Sequence, residues 1–200
     1  ATLYLHYLQD RGEKIGGEYR YIIDDKSQGA IMYNFLDDRQ IDDGTGDNSE
    51  RWGYTDVPGL RPNNDRYWFL MKHSQALPYE VTAKLDIDIV SDQDYLIEWE
   101  KGETGWEWTN AYFEENFGRG LDDFNDSVRK NQLNLKKGWS RWDLNVTAQW
   151  FDNVIARRQL DVDPTLQLLP TIEFQGSRQP LFSTPLNFKW NSEFVYFYRQ

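Results

Sequence analysis

The sequence predicts an all-β chain: an antiparallel meander of about nine strands that forms part of a large transmembrane β-barrel. Three observations carry this. Apolar and polar residues alternate with a period of two over long stretches. The connections between those stretches alternate between short and long. A mean hydropathy of −0.80 coexists with 16% aromatic residues. A barrel reconciles the last pair, because every second strand residue faces a wet lumen although the protein lies in lipid.

The clearest alternation runs over residues 79–90. Tyr79, Val81, Ala83, Leu85, Ile87 and Ile89 are interleaved with Glu80, Thr82, Lys84, Asp86 and Asp88. Residues 142–150 repeat it, with Trp142, Leu144, Val146, Ala148 and Trp150 against Asp143, Asn145, Thr147 and Gln149. Residues 186–199 do so again, with Leu186, Phe188, Trp190, Phe194, Tyr196 and Tyr198 against Asn187, Lys189, Asn191, Glu193 and Arg199. A two-residue period puts each set on one face of a sheet. Weaker strands, rich in Tyr, Ile, Leu and Phe and bounded by turn residues, are predicted at 2–8, 15–23, 28–36, 66–74, 128–137 and 165–175. Pro170 predicts a bulge or a local loss of pairing, since proline donates no ladder hydrogen bond. Gly16-Gly17 and Gly118-Arg119-Gly120 read as turn or bulge positions.

The connections 24–27, 75–78 and 138–141 are short, whereas 37–65, 91–127 and 153–164 are long. The connection at 9–14 is shorter than this parity suggests, and 177–185 is intermediate. Short turns on one side and long loops on the other are the habit of outer-membrane barrels. Residues 106–118 within the longest loop suggest a short helix or a plug-like turn on the barrel rim. Tyr79, Trp139, Trp142, Trp150, Phe151, Tyr196 and Tyr198 fall near strand ends, the interfacial depth that suits an apolar ring with a polar edge.

No stretch approaches the roughly 18–20 apolar residues of a spanning helix, so any membrane crossing is by strands. The chain is expected to be a processed or excised segment: residues 1–200 form one partial outer-membrane barrel domain, not closed by this segment. The net charge of −11 argues against nucleic acid as a partner. Much of it lies in the long loops. Residues 37–51 hold six acids against two arginines, and Glu114-Glu115 and Asp122-Asp123 add to residues 91–126. These read as solvated loops; the weaker alternative, divalent-cation capture around Asp42-Asp43-Gly44-Thr45-Gly46-Asp47, lacks calcium-loop spacing.

Chemistry-bearing motifs are scarce. There is no cysteine, and the two histidines, His6 and His73, are far apart and read as lumen-facing or interfacial polar residues. Metal-ligand spacings, a nucleophile elbow and a phosphate-cradling loop are all missing from the sequence. Asp86 with Asp88, and Glu173 with Glu193, are carboxylate pairs that share a face. The expectation is a non-enzyme with no catalytic, cofactor or metal residues. Glu80, Lys84, Asp86, Asp143, Asn145, Gln149, Lys189 and Glu193 are expected to face the lumen.

Several strings, in order, resemble the LptD family of lipopolysaccharide-assembly proteins. They are Ala1-Thr2-Leu3 through Tyr7, Arg11-Gly12, Gly17-Glu18-Tyr19-Arg20-Tyr21, Asp65-Arg66-Tyr67-Trp68-Phe69 with Lys72-His73, and Ser91-Asp92-Gln93-Asp94-Tyr95. Asn153-Val154, Leu169-Pro170-Thr171-Ile172 and Ser177-Arg178-Gln179-Pro180-Leu181 continue the series. The similarity covers essentially the whole chain.

The resemblance alone implies a place and a role. The chain would be an early part of a barrel of some 26 strands in the outer membrane of a Gram-negative bacterium, which translocates lipopolysaccharide into the outer leaflet. Its partners would be lipopolysaccharide, the plug lipoprotein LptE, outer-membrane lipid, and a periplasmic Lpt bridge reached through a domain outside this segment. Thr2, Leu3, Tyr4, Leu5, His6 and Tyr7 would lie in or beside the lateral-gate strand, with Leu5 where family members often carry proline. Other readings of the sequence are a porin or substrate-specific channel barrel and a soluble all-β carbohydrate-binding module.

Overall fold

Nine antiparallel strands pair strictly in chain order, each with its sequence neighbours. The computed structural model describes residues 1–41, 64–160 and 163–199. The strands are β1 (Thr2–Leu8), β2 (Gly12–Asp24), β3 (Ser27–Asp38), β4 (Asp65–Leu77), β5 (Val81–Val90), β6 (Val128–Gly138), β7 (Trp142–Asn153), β8 (Gln167–Pro180) and β9 (Asn187–Tyr198). Among the described residues β1 and β9 each have one neighbour, so the sheet is a meander open at both edges, consistent with part of a barrel. The expected strands are all present. The acidic stretch Asp42–Asp47 lies outside the described residues.

The register sorts the side chains as the alternation predicts. Between β4 and β5, Phe69, Met71 and His73 oppose Ile89, Ile87 and Leu85, while Lys72 opposes Asp86 on the other face. The apolar set continues through Leu133 and Leu135 of β6 to Val146 of β7 and Ile172 of β8. On β1 and β2 the same face carries Leu3, Leu5, Tyr7, Ile15 and Tyr19, all more than half exposed. The opposite face holds the buried charges Lys14, Glu18, Arg66, Lys72, Asp86 and Asp88. This inverts the usual soluble arrangement, in which charged side chains are rarely buried.

Two segments of the long connection between β5 and β6 are helical and cover part of the polar face: α1 (Gln93–Glu98) and α2 (Trp106–Phe117). Asp92 caps α1 by accepting a hydrogen bond from the Tyr95 N–H at 2.9 Å. Gly118, at φ 62°, ends α2 in the left-handed conformation that costs glycine little. Of the two expectations for 106–118, a short helix or a plug-like turn, the helix is found as α2, whereas α1 and α3 (Val154–Leu160) fall where the sequence suggested loop. The core lies under these helices. Ala30, Met32, Leu36, Trp68, Leu70 and Val90 of the sheet pack with Tyr95, Leu96, Phe113 and Val154. This explains why β3 and β4 alternate weakly in sequence: their inner residues meet helices rather than water, so both faces carry apolar side chains.

Three local expectations change. Gly16 and Gly17 mark neither a turn nor a bulge; they pair regularly with both neighbouring strands, and the irregularity of β2 falls between Ile22 and Asp24. A side chain at Gly16 would place its Cβ 2.6 Å from the Asn34 amide oxygen, so glycine there permits close approach. β8 extends to Pro180, shortening the expected 177–185 connection, and β5 begins at Val81 rather than at Tyr79. Pro170 behaves as expected, because the β8–β9 register shifts between Leu168 and Thr171.

Gly12 offers a test. Its φ is +136°, and a Cβ there would lie 1.9 Å from the Asp37 carbonyl oxygen. Gly12→Ala should destabilise the full-length protein by about 1–3 kcal/mol. Gly17→Ala, which meets only Leu3 at an ordinary 3.7 Å, should stay within about 0.5 kcal/mol. Urea-unfolding midpoints in detergent micelles compare the two, and equal effects would refute the close-approach argument.

Candidate functional site

The polar face, with the α1–α2 insertion lying on it, gathers most of the buried charge. Its ionic contacts form two groups. At the end of the sheet bearing the long connections, Arg66 of β4 is 1% exposed and meets three carboxylates. It donates to Asp92 at 2.9 and 2.7 Å, to Asp38 at 2.8 Å and to Glu98 at 3.1 Å. Arg11, in the β1–β2 turn, donates to Asp38 at 2.9 and 2.6 Å and also to Glu98. Burial opposes the Arg11 charge, but Asp38 and Glu98 outweigh it and hold the guanidinium above its ordinary pKa. The rigid fork of arginine suits such bidentate pairing. Beside them Lys14 donates to the Thr104 hydroxyl at 3.1 Å and sits 3.7 Å from the centre of the Trp99 ring. Burial pushes the Tyr95 phenol of α1 well above its ordinary pKa, keeping it neutral.

The second group lies under the segment after α2. Asp86 accepts from Arg119 at 2.8–3.1 Å and from Gln132 at 2.8 Å, with the Lys72 ammonium at 3.5 Å. Asp88 accepts from the Trp68 indole at 2.8 Å and from Arg129. Arg129 reaches on to the carbonyls of Asp122 and Asp123 at 3.2 and 2.6 Å, and Lys72 to that of Gly120 at 2.9 Å. Cations from the sheet therefore satisfy carbonyls of the insertion, while an insertion arginine satisfies a sheet carboxylate. A cavity of about 360 Å³ remains between them, lined by Lys72, Asp86, Arg119, Lys130 and Gln132 among others.

Further along, an amide row crosses the same face. Asn134 donates to Asn145 at 2.6 Å and to Thr147 at 2.8 Å, and Asn145 donates to Glu173 at 2.9 Å. Gln149 donates to Gln132 at 3.2 Å. Such a surface holds water and can exchange hydrogen bonds with hydroxyl- or phosphate-bearing solutes. Among the described residues no group of three or more His, Asp or Glu side chains is placed to hold a metal ion.

The residues singled out from sequence distribute unevenly over this face. Asp86 is central to the second ionic group, and Asn145 and Gln149 belong to the amide row. Lys84, opposite Asn134, and Asp143, opposite Gln175, lie on the same face but are exposed. Glu193 stands directly opposite Glu173, and Lys189 shares its side of β9 by parity. Glu80 is not in the alternation; it sits in a 3-10 turn, with φ 60°. Thr2–Tyr7 form edge strand β1, where Leu3, Leu5 and Tyr7 point to the apolar face and Tyr4 contacts Glu18 at 3.4 Å. His73 lies on the apolar face, bonded to the Tyr21 hydroxyl at 2.9 Å.

Sequence reasoning missed Arg11, Lys14, Asp38, Arg66, Arg119 and Arg129. Parity gave no signal for Asp38 and Arg66, which share their side of β3 and β4 with Ala30, Met32, Leu36, Trp68 and Leu70. Arg119 was hidden in a glycine-flanked turn. Arg66→Met should cost about 3–5 kcal/mol, because it leaves buried Asp38 and Asp92 with a lost partner. Lys189→Met, at an exposed position, should stay within about 0.5 kcal/mol. Thermal unfolding of the full-length protein measures both, and a neutral Arg66→Met would show that the insertion is not held by this arginine.

The sequence is similar to those of known proteins. The family model described as LPS transport system D, LptD, matches residues 64–200. The LPS-assembly protein LptD of Pasteurella multocida (strain Pm70) is 24% identical over 198 residues, 98% of this chain. Those residues make up 20% of that relative, so the chain spans about a fifth of its length. The family match covers well over half of the chain, including the strands that carry Arg66, Asp86, Asn145 and Glu193, and the chain belongs to the LptD family.

Proposed function

We propose that this chain is one part of an outer-membrane barrel domain, in a Gram-negative bacterium, that delivers lipopolysaccharide to the outer leaflet. The observation that carries this is the inverted burial of the sheet, in a chain of this family. Large apolar side chains are exposed on one face, and charges are buried and hydrogen-bonded on the other. An apolar outer band facing lipid and a polar lumen account for both faces at once. A soluble carbohydrate-binding module would have to leave the neighbouring Leu3, Leu5, Tyr7 and Ile15 in water, a patch that soluble monomers rarely expose.

On this reading Lys84, Asp86, Asp143, Asn145, Gln149, Lys189 and Glu193 line or flank the lumen, with Glu80 at its rim. The translocated molecule combines a sugar–phosphate portion with acyl chains. A wet, hydrogen-bonding interior suits the first and the apolar exterior the second. Thr2–Tyr7, in β1, would form part of the seam through which acyl chains leave. The plug lipoprotein LptE would occupy lumen left free by the α1–α2 insertion, and the periplasmic bridge would join through a domain elsewhere in the protein. Nothing in this role calls for catalysis by the chain itself.

Two measurements test the proposal. Single cysteines at Asn145 and Gln149 of the full-length protein in cells should react with a membrane-impermeant maleimide, whereas those at Leu144 and Val146 should be protected by lipid. The reverse pattern would turn the sheet inside out and end the barrel reading. A photocrosslinking residue at positions 2–7 should capture lipopolysaccharide during synthesis. Capture at none of these six positions would remove β1 from the export path.

A further inference from the structure

The apolar face carries one lysine in an unusual setting. Lys137, one residue from the end of β6, stands opposite Val81 of β5 and Leu144 of β7, with Leu135 next on its own side. Its ammonium lies 4.9 Å from the centre of the Trp139 ring and 5.9 Å from that of Tyr79. No carboxylate is within ion-pair distance of it among the described residues. Two aromatic rings thus bracket a cation that its own strand partners do not neutralise.

The rings are placed by their turns. Tyr79 and Glu80 both have positive φ, 63° and 60°, in the tight connection from β4 to β5. Non-glycine residues rarely adopt this conformation, although it matches the twist of a short hairpin. It leaves Tyr79 85% exposed beside Lys137. Trp139 lies in the next short connection and is 47% exposed. Beyond it Trp142 and Phe174 stack in parallel at 5.1 Å. Trp142 covers Gly176 so closely that a Cβ there would lie 2.4 Å from the indole ring. Trp139, Trp142 and Phe174 line an open apolar hollow of about 300 Å³.

We propose that Lys137, Tyr79, Trp139, Trp142 and Phe174 form a binding site for a phospholipid of the leaflet that meets the short turns. The Lys137 ammonium and the Trp139 indole would hold the headgroup phosphate, and the Trp142–Phe174 stack would seat the upper acyl chain. Charge complementarity selects this occupant. A cation set among Val81, Leu135, Leu144 and two aromatic rings needs an anion at the depth where lipid gives way to water, and the site is continuous with the exposed apolar face. Tryptophan and tyrosine favour that depth, and a lysine near an anionic membrane surface contributes about 1 kcal/mol.

The inference rests on the bilayer placement proposed above, and the experiment separates the two. Full-length protein in detergent is titrated with phosphatidylglycerol, with diacylglycerol of the same chains, and with inorganic phosphate; native mass spectrometry counts bound lipid. Wild type should retain phosphatidylglycerol in preference to diacylglycerol, and millimolar inorganic phosphate should not displace it. Lys137→Gln should weaken phosphatidylglycerol retention about fivefold and Trp139→Leu comparably, while Lys137→Arg keeps it. Retained folded mobility on unheated gels shows that each variant is intact. Equal retention of diacylglycerol, displacement by inorganic phosphate, or unchanged retention in a folded Lys137→Gln overturns the site. Failure of wild type to fractionate with membranes would instead overturn the bilayer placement.

Discussion

In a paired antiparallel strand each residue turns to the face opposite its neighbours, and the backbone groups are spent on the ladder. A sheet of nine such strands has no freedom to place a side chain halfway. Once Lys72 is opposite Asp86, Met71 is opposite Ile87, and the sorting carries on wherever the register is regular, with shifts in β7–β8 and β8–β9. The apolar belt, the buried charges and the amide row all descend from this one constraint. A one-residue slip in any strand would carry its charges to the apolar face.

The inner face shows what happens when charge is buried in bulk. Isolated buried ions are costly, and this sheet tolerates them by sharing. Arg66 and Arg11 distribute over Asp38, Asp92 and Glu98, and Arg129 serves Asp88 together with two carbonyls. The carboxylates come from strands and from the insertion alike, so the networks fasten α1 and the segment after α2 to the sheet. Apolar packing of Phe113, Leu96 and Tyr95 against Leu36, Trp68 and Leu70 adds to this at the same place. The insertion is therefore held by a mixed core, apolar in the middle and ionic at its edges.

The two faces also differ in what their irregular positions accomplish. On the polar face Gly16 lets Asn34 approach closely, whereas on the apolar face two glycines are covered by rings: Tyr21 over Gly29 and Trp142 over Gly176. The latter two lie toward the short turns, where Tyr79 and Trp139 also sit. Tyr21 and Trp142 thus fill gaps in the sheet, and with Tyr79 and Trp139 they lie near the short turns.

Much of the architecture was legible in the sequence. Period-two alternation and turn residues located all nine strands, because those signals are local and repeat along each element. The same parity sets Asp86, Asn145 and Gln149 on one side of the sheet, since the register carries alternation from strand to strand. Residues 106–118 stood out as a short helix or a plug-like turn, but α1, six residues long and capped by Asp92, was too short for any periodic signal. What only the tertiary structure decided was partnership. Which carboxylates surround Arg66, how Arg119 finds Asp86 thirty-three residues earlier, and that the insertion folds onto the polar face depend on contacts between elements distant in the chain. A sequence carries the period that sets faces; it does not carry the distances that set pairs.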